Sequence, residues 1–83
     1  YIFNDMLRKS EQLIAELVQD VEDFKDVVTM ERIATILIIR LRKFLKVMTD
    51  EEIYTMLKGM QSLKKMRASQ KHKLVEIIRN FWN

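Results

Sequence analysis

Eighty-three residues with no cysteine, no proline and one glycine make one small domain with little irregular chain, held by packing rather than by disulfides or thiolate-bound metal. A composition 48% hydrophobic and 33% charged excludes a disordered tail, and the longest uninterrupted apolar run, Ile36 to Ile39, is far short of the roughly 20 residues of a membrane span. The net charge of +3 is unevenly spread: residues 1–29 carry three basic and seven acidic side chains, −4 net, whereas residues 30–83 carry twelve basic and five acidic, +7 net.

Apolar residues at Met6, Leu7, Leu13, Ile14, Leu17, Val18, Val21 and Phe24 recur at three- and four-residue spacing, which predicts a first helix with one buried stripe, mildly interrupted by Ser10. The pattern fades across Glu22 to Val28, where acidic residues cluster, so a connection is expected there. Thr29 is the expected cap of a second helix, with Glu31 in its first turn. That helix carries Met30, Ile33, Ile36, Leu37, Leu41, Phe44, Leu45 and Met48. Ile38 and Ile39 widen its apolar face, which suits a central helix touched on more than one side.

Thr49 followed by Glu52 is a capping box and the clearest start signal in the chain. The helix it opens presents Ile53, Met56, Leu57 and Met60, and Gly59 ends or kinks it before a shorter turn through Leu63 and Met66. Ser69 is the expected cap of a last helix whose apolar face is Leu74, Val75, Ile77, Ile78, Phe81 and Trp82. No stretch alternates with period two, so the expected fold class is all-α, a compact bundle of four to five short helices.

Catalytic chemistry finds little support. His72 is the only histidine that could serve as a base, and it lies between Lys71 and Lys73 on what reads as a solvated turn. Asp50, Glu51 and Glu52 resemble a carboxylate cluster, but they fall in a helix first turn, where negative charge is stabilising anyway. No metal-ligand spacing is present, and one glycine cannot build a phosphate-cradling loop, so neither an enzyme nor a cofactor is expected. The six methionines fall on the buried register, as do Phe81 and Trp82, which read as packing anchors rather than as a groove or a stacking platform.

The basic stretches Arg40 to Lys46 and Lys64 to Lys73 remain. Their plain reading is a solvated face. The sharper one is that the second stretch spans a helix end, a connection and a helix start, a corner where backbone N–H groups stand beside positive charge and suit a carboxylate-rich ligand. A basic surface attracts nucleic-acid phosphate as readily as an acidic peptide, and composition does not choose between them.

Met48-Thr49 at a helix start, Gly59 ten positions after the threonine, Leu63-Lys64-Lys65-Met66-Arg67, and a closing apolar segment from Leu74 to Trp82 together resemble a known family. It is the helical domain at the N-terminus of the transcription elongation factor TFIIS, also present in Elongin A and Mediator subunits, whose fold is shared by the integrase-binding domain of lens epithelium-derived growth factor. The resemblance covers roughly Ile33 to Trp82. It implies a right-handed bundle and a non-enzymatic nuclear module that docks short, disordered, acidic segments bearing aromatic or aliphatic anchors in a cleft between interhelical loops.

Carried over by motif, Lys64, Lys65 and Arg67 are the leading partner contacts. Phe24 and Lys25 fall in the connection between the first two helices, where the growth-factor type makes its other contacts, and Ala68 and Lys71 complete the corner. The chain departs from that family in a shorter connection after Arg67, in Ala68 and Ser69 where exposed aromatic and aliphatic residues stand, in an acidic first helix, and in Val47 in place of a proline. Integrase binding is therefore not expected.

The expectation is a monomeric domain, 1–83, excised from a longer protein because the chain opens on Tyr1, that recruits acidic partner peptides to transcription or chromatin complexes. The rival is a basic helical domain that tracks nucleic-acid phosphates with its +7 portion. A third possibility is a structural bundle that oligomerises through Ile38, Ile39 and Val75.

Overall fold

The computed structural model describes residues 2–82. Four α-helices follow one another, α1 (Ile2–Val18), α2 (Val27–Val47), α3 (Asp50–Lys58) and α4 (Ala68–Asn80), with a single 3-10 turn at Gln61–Leu63 and no strand among the described residues. The fold is an all-α helical bundle. Its radius of gyration of 11.6 Å agrees with the about 11.8 Å expected of a compact chain of this length.

Helix α1 ends at Val18 and α2 begins at Val27, so the connection covers 19–26 instead of the expected Glu22 to Val28 and takes in Val21 as well as Phe24. They continue the spacing because the connection itself folds back onto the core: Val21 packs against it half-buried and Phe24 is 2% exposed. Ser10 does not interrupt the stripe. It is fully buried, and its hydroxyl donates to the Met6 carbonyl at 2.8 Å, which satisfies the one buried polar side chain among the described residues.

Asp26, not Thr29, caps α2. The Asp26 carboxylate accepts from the Val28 N–H at 3.0 Å and from the Thr29 hydroxyl at 3.3 Å, so the threonine becomes a donor to a stronger acceptor three residues upstream. Glu31 accordingly lies beyond the first turn. Helix α2 is the central element, packed against both α1 and α4, and buries Met30, Ile33, Ala34, Leu37, Ile38, Leu41 and Leu45. Leu41 has non-helical dihedrals (φ −120°, ψ 18°), so the helix kinks at a fully buried side chain. Ile38 joins the core as expected, but Ile39 is 74% exposed. With Ile38 and Val75 both buried at 6% exposure, the Ile38–Ile39–Val75 face proposed for oligomerisation is not an open apolar surface.

The Thr49–Glu52 capping box forms as its spacing predicts, the Thr49 hydroxyl accepting from the Glu52 N–H at 3.1 Å and the Glu52 carboxylate from the Thr49 N–H at 2.8 Å. Gly59 ends α3 in a right-handed conformation (φ −81°, ψ −8°), its N–H still bonded to the carbonyls of Thr55 and Met56. Met60, Leu63 and Met66 are all buried along the turn that follows. Helix α4 begins at Ala68 with Arg67 as the capping residue, so Ser69 lies inside the first turn instead of capping it.

Of the other methionines, Met30 is buried and Met48 and Met56 pack against the core, whereas Met6 is 36% exposed on α1. Trp82 packs against the core with its Nε1 buried and unpartnered, while Phe81, 56% exposed, is not the anchor its spacing implies and meets Trp82 edge-on at 5.5 Å.

Candidate functional site

The two connections that bracket α2 and α3 in sequence come together in space. Gln70, in the first turn of α4, bridges them: its side-chain oxygen accepts from the Arg67 N–H at 2.9 Å, and its amide donates to the Asp23 carboxylate at 3.5 Å, a long bond. The first contact fixes the orientation of the amide, since an oxygen turned to a backbone N–H leaves only the donor end for Asp23. Asp23 is in turn 3.6 Å from Lys25 across its other oxygen.

From the opposite side, Glu11 on α1 secures the turn that precedes the basic segment. Its carboxylate accepts from the Gln61 N–H and the Ser62 N–H, each at 3.0 Å, and from the Ser62 hydroxyl. Charge-assisted bonds of this kind are stronger than neutral ones, so an acidic side chain from the −4 portion holds the backbone that presents the basic corner. Leu63 and Met66, three residues apart, complete the anchoring by packing into the core, which leaves Lys64, Lys65 and Arg67 exposed.

Of the residues expected to contact a partner, Lys64, Lys65, Arg67 and Ala68 are exposed and Lys71 is half-buried. Among the described residues, no carboxylate pairs with any of these four cations within 4 Å. Lys25 is exposed but sits beside Asp23. Phe24 differs from the expectation of a surface contact: it is 2% exposed and its ring belongs to the hydrophobic core, so it offers a partner almost no surface.

Val27 and Val28, 50% and 51% exposed in the first turn of α2, were not among the expected contacts. They are the aliphatic surface directly beyond the Asp23–Lys25 connection. Their adjacency to an acidic cluster concealed them in sequence; two β-branched residues immediately after an N-cap aspartate were the available signal.

A groove of about 720 Å³ opens between α3 and α4, and Lys64, Lys65 and Arg67 do not line it. Its walls mix Asp50, Glu51 and Glu76 with Lys58 and Arg79. Arg79 is already engaged, donating to Asp50 at 2.7 Å and to the Met48 carbonyl at 2.8 Å. The carboxylates of the α3 first turn thus stabilise the helix start, and one of them, Asp50, also ties α3 to α4. His72, expected on a turn, lies on α4, where its ring stacks on Tyr54 at 4.1 Å with an interplanar angle of 2°. Among the described residues, no three His, Asp or Glu side chains gather as a metal site, and no helix is long and apolar enough to cross a membrane. Compared with known proteins, the chain matches no family model, no curated protein and no solved structure.

Proposed function

We propose that the chain is a non-enzymatic docking module, related to the TFIIS N-terminal domain, that binds short disordered acidic peptides with an aromatic or aliphatic anchor in transcription or chromatin assemblies of the nucleus. The observation that carries this reading is the Gln70 bridge, which holds an unpaired basic segment beside a connection bordered by exposed valines. Such a pairing supplies the two things a short acidic ligand needs. Val27 and Val28 offer apolar contact for an anchor, and Lys64, Lys65 and Arg67 steer and orient the acidic flanks. Because Glu11 and Gln70 fix the backbone of the corner beforehand, the ordering cost of binding falls mainly on the peptide.

The test is an NMR titration of the labelled chain with an acidic phenylalanine-containing peptide, repeated with K64E/K65E/R67E at matched salt. Saturable shifts confined to residues 23–28 and 61–71, together with at least a tenfold loss of affinity in a variant of unchanged helicity, are expected. Unchanged affinity removes the corner as the site.

A further inference from the structure

We infer that the outer face of α2 is a second, separate binding surface, for the sugar-phosphate backbone of a nucleic-acid duplex. Between Glu31 and Asp50 the chain has five cations, Arg32, Arg40, Arg42, Lys43 and Lys46, and no acidic residue at all. Every one of them is exposed, and none has a carboxylate within 4 Å among the described residues. Exposed helix faces ordinarily mix both signs and gain from pairs three or four residues apart. Here the pairs Arg40–Lys43, Lys43–Lys46 and Arg42–Lys46 stand at those spacings with like charge. The helix dipole favours Lys46 in the last turn but does not account for Arg32 or Arg40, which lie well before it.

The cations are also arranged. Beyond the kink at Leu41, Lys43 and Lys46 stand three residues apart on one face with Arg42 beside them, and Arg32 and Arg40 carry the charge back along the helix before the kink. The charge extends from Arg32 to Lys46, over 15 of the 21 residues of α2. An exposed run of positive charge uninterrupted by any acidic residue matches a regularly spaced polyanion better than it matches a peptide, which would want an apolar site for its anchor.

Two other anionic partners fit less well. A membrane surface calls for a continuous apolar strip, and between Arg32 and Lys46 this face offers only Ile39. Single strands call for exposed rings on which bases stack, whereas Phe44, the one aromatic residue of α2, is half-buried edge-on against Phe3 at 4.9 Å.

The experiment is fluorescence anisotropy of the chain with a labelled 20-base-pair duplex of arbitrary sequence at 50 and 200 mM monovalent salt. Engagement of about four phosphates weakens binding on the order of 100-fold over that range. R40E/R42E/K43E is expected to lose at least tenfold in duplex affinity at 50 mM and to keep peptide affinity, and K64E/K65E/R67E is expected to do the reverse. R40Q/R42Q/K43Q, which removes charge without reversing it, provides the same reading should the glutamates reduce helicity. The inference is overturned by absence of duplex binding, by duplex affinity indifferent to the α2 substitutions, or by equal losses in both variants. Binding to phosphatidylserine vesicles but not to the duplex would overturn it in favour of a lipid surface. Because peptide and duplex are read separately, failure here leaves the docking reading standing, and failure of that reading leaves this one.

Discussion

Glu11 and Ser62, 51 positions apart, meet through two hydrogen bonds to one carboxylate oxygen, one from the serine backbone and one from its hydroxyl. The other oxygen takes the Gln61 N–H, so the acidic first helix and the basic corner are joined at a single side chain. Glu11→Ala leaves two backbone donors unanswered, and we expect a loss of about 1–3 kcal/mol in urea-induced unfolding. Amide resonances of residues 61–67 should broaden in the same variant before the helices melt.

Gln70→Ala cuts the bridge between the two connections while leaving every cation in place. The stability cost should be modest, about 1 kcal/mol. Peptide affinity should fall several-fold by calorimetry even though no proposed contact residue has changed, because the corner is then no longer ordered in advance.

Phe24 separates a core role from a contact role. Phe24→Ala should cost about 3–5 kcal/mol, a large share of the roughly 4–12 kcal/mol that 0.05–0.15 kcal/mol per residue gives a chain of this length. Phe24→Leu should stay folded in a thermal melt and bind acidic peptide as the parent does. A selective loss of peptide binding in that variant would put the ring at the interface.

Gly59 ends α3 in the right-handed region, where an added Cβ would stand 3.6 Å from the Met56 carbonyl oxygen and 3.7 Å from that of Thr55, ordinary contact distances. Gly59→Ala should therefore stabilise the protein by about 0.4–1 kcal/mol, through the unfolded chain's lost freedom, with a matching rise in melting temperature.

The one exposed residue of the Ile38–Ile39–Val75 set is Ile39, too little apolar surface to drive association. Sedimentation equilibrium should return a monomer mass independent of concentration, and Ile39→Lys should leave it unchanged.

What could be read from sequence was whatever a few neighbouring residues decide. The Thr49–Glu52 box spans four positions and carries its own geometry, and the buried faces of α2 and α4 follow from spacing alone. Helix ends were harder. Thr29 and Ser69 are sound caps by residue type, yet Asp26 and Arg67 hold those places, the first because a carboxylate outcompetes a hydroxyl and the second because Gln70 supplies the acceptor from inside the helix. Phe24 and Val21 prolong a helical rhythm past the helix because a connection can be buried as well as a helix can. The corner's cations were visible as a motif, whereas the Glu11 and Gln70 contacts that position it link residues about fifty apart and leave no local trace.

No described residue, Gly59 included, has a positive φ. Every turn in this fold is therefore built from conformations open to any L-amino acid, and backbone stereochemistry reserves no position for a particular residue. A complete substitution scan would then be a map of side-chain duties alone: each intolerant position, proline replacements aside, would mark a buried contact, a helix cap or a bonded bridge. Mutational drift could rewrite the exposed positions of every connection without first solving a turn, provided that the buried residues Phe24, Met60, Leu63 and Met66 and the few polar ties across the bundle were kept.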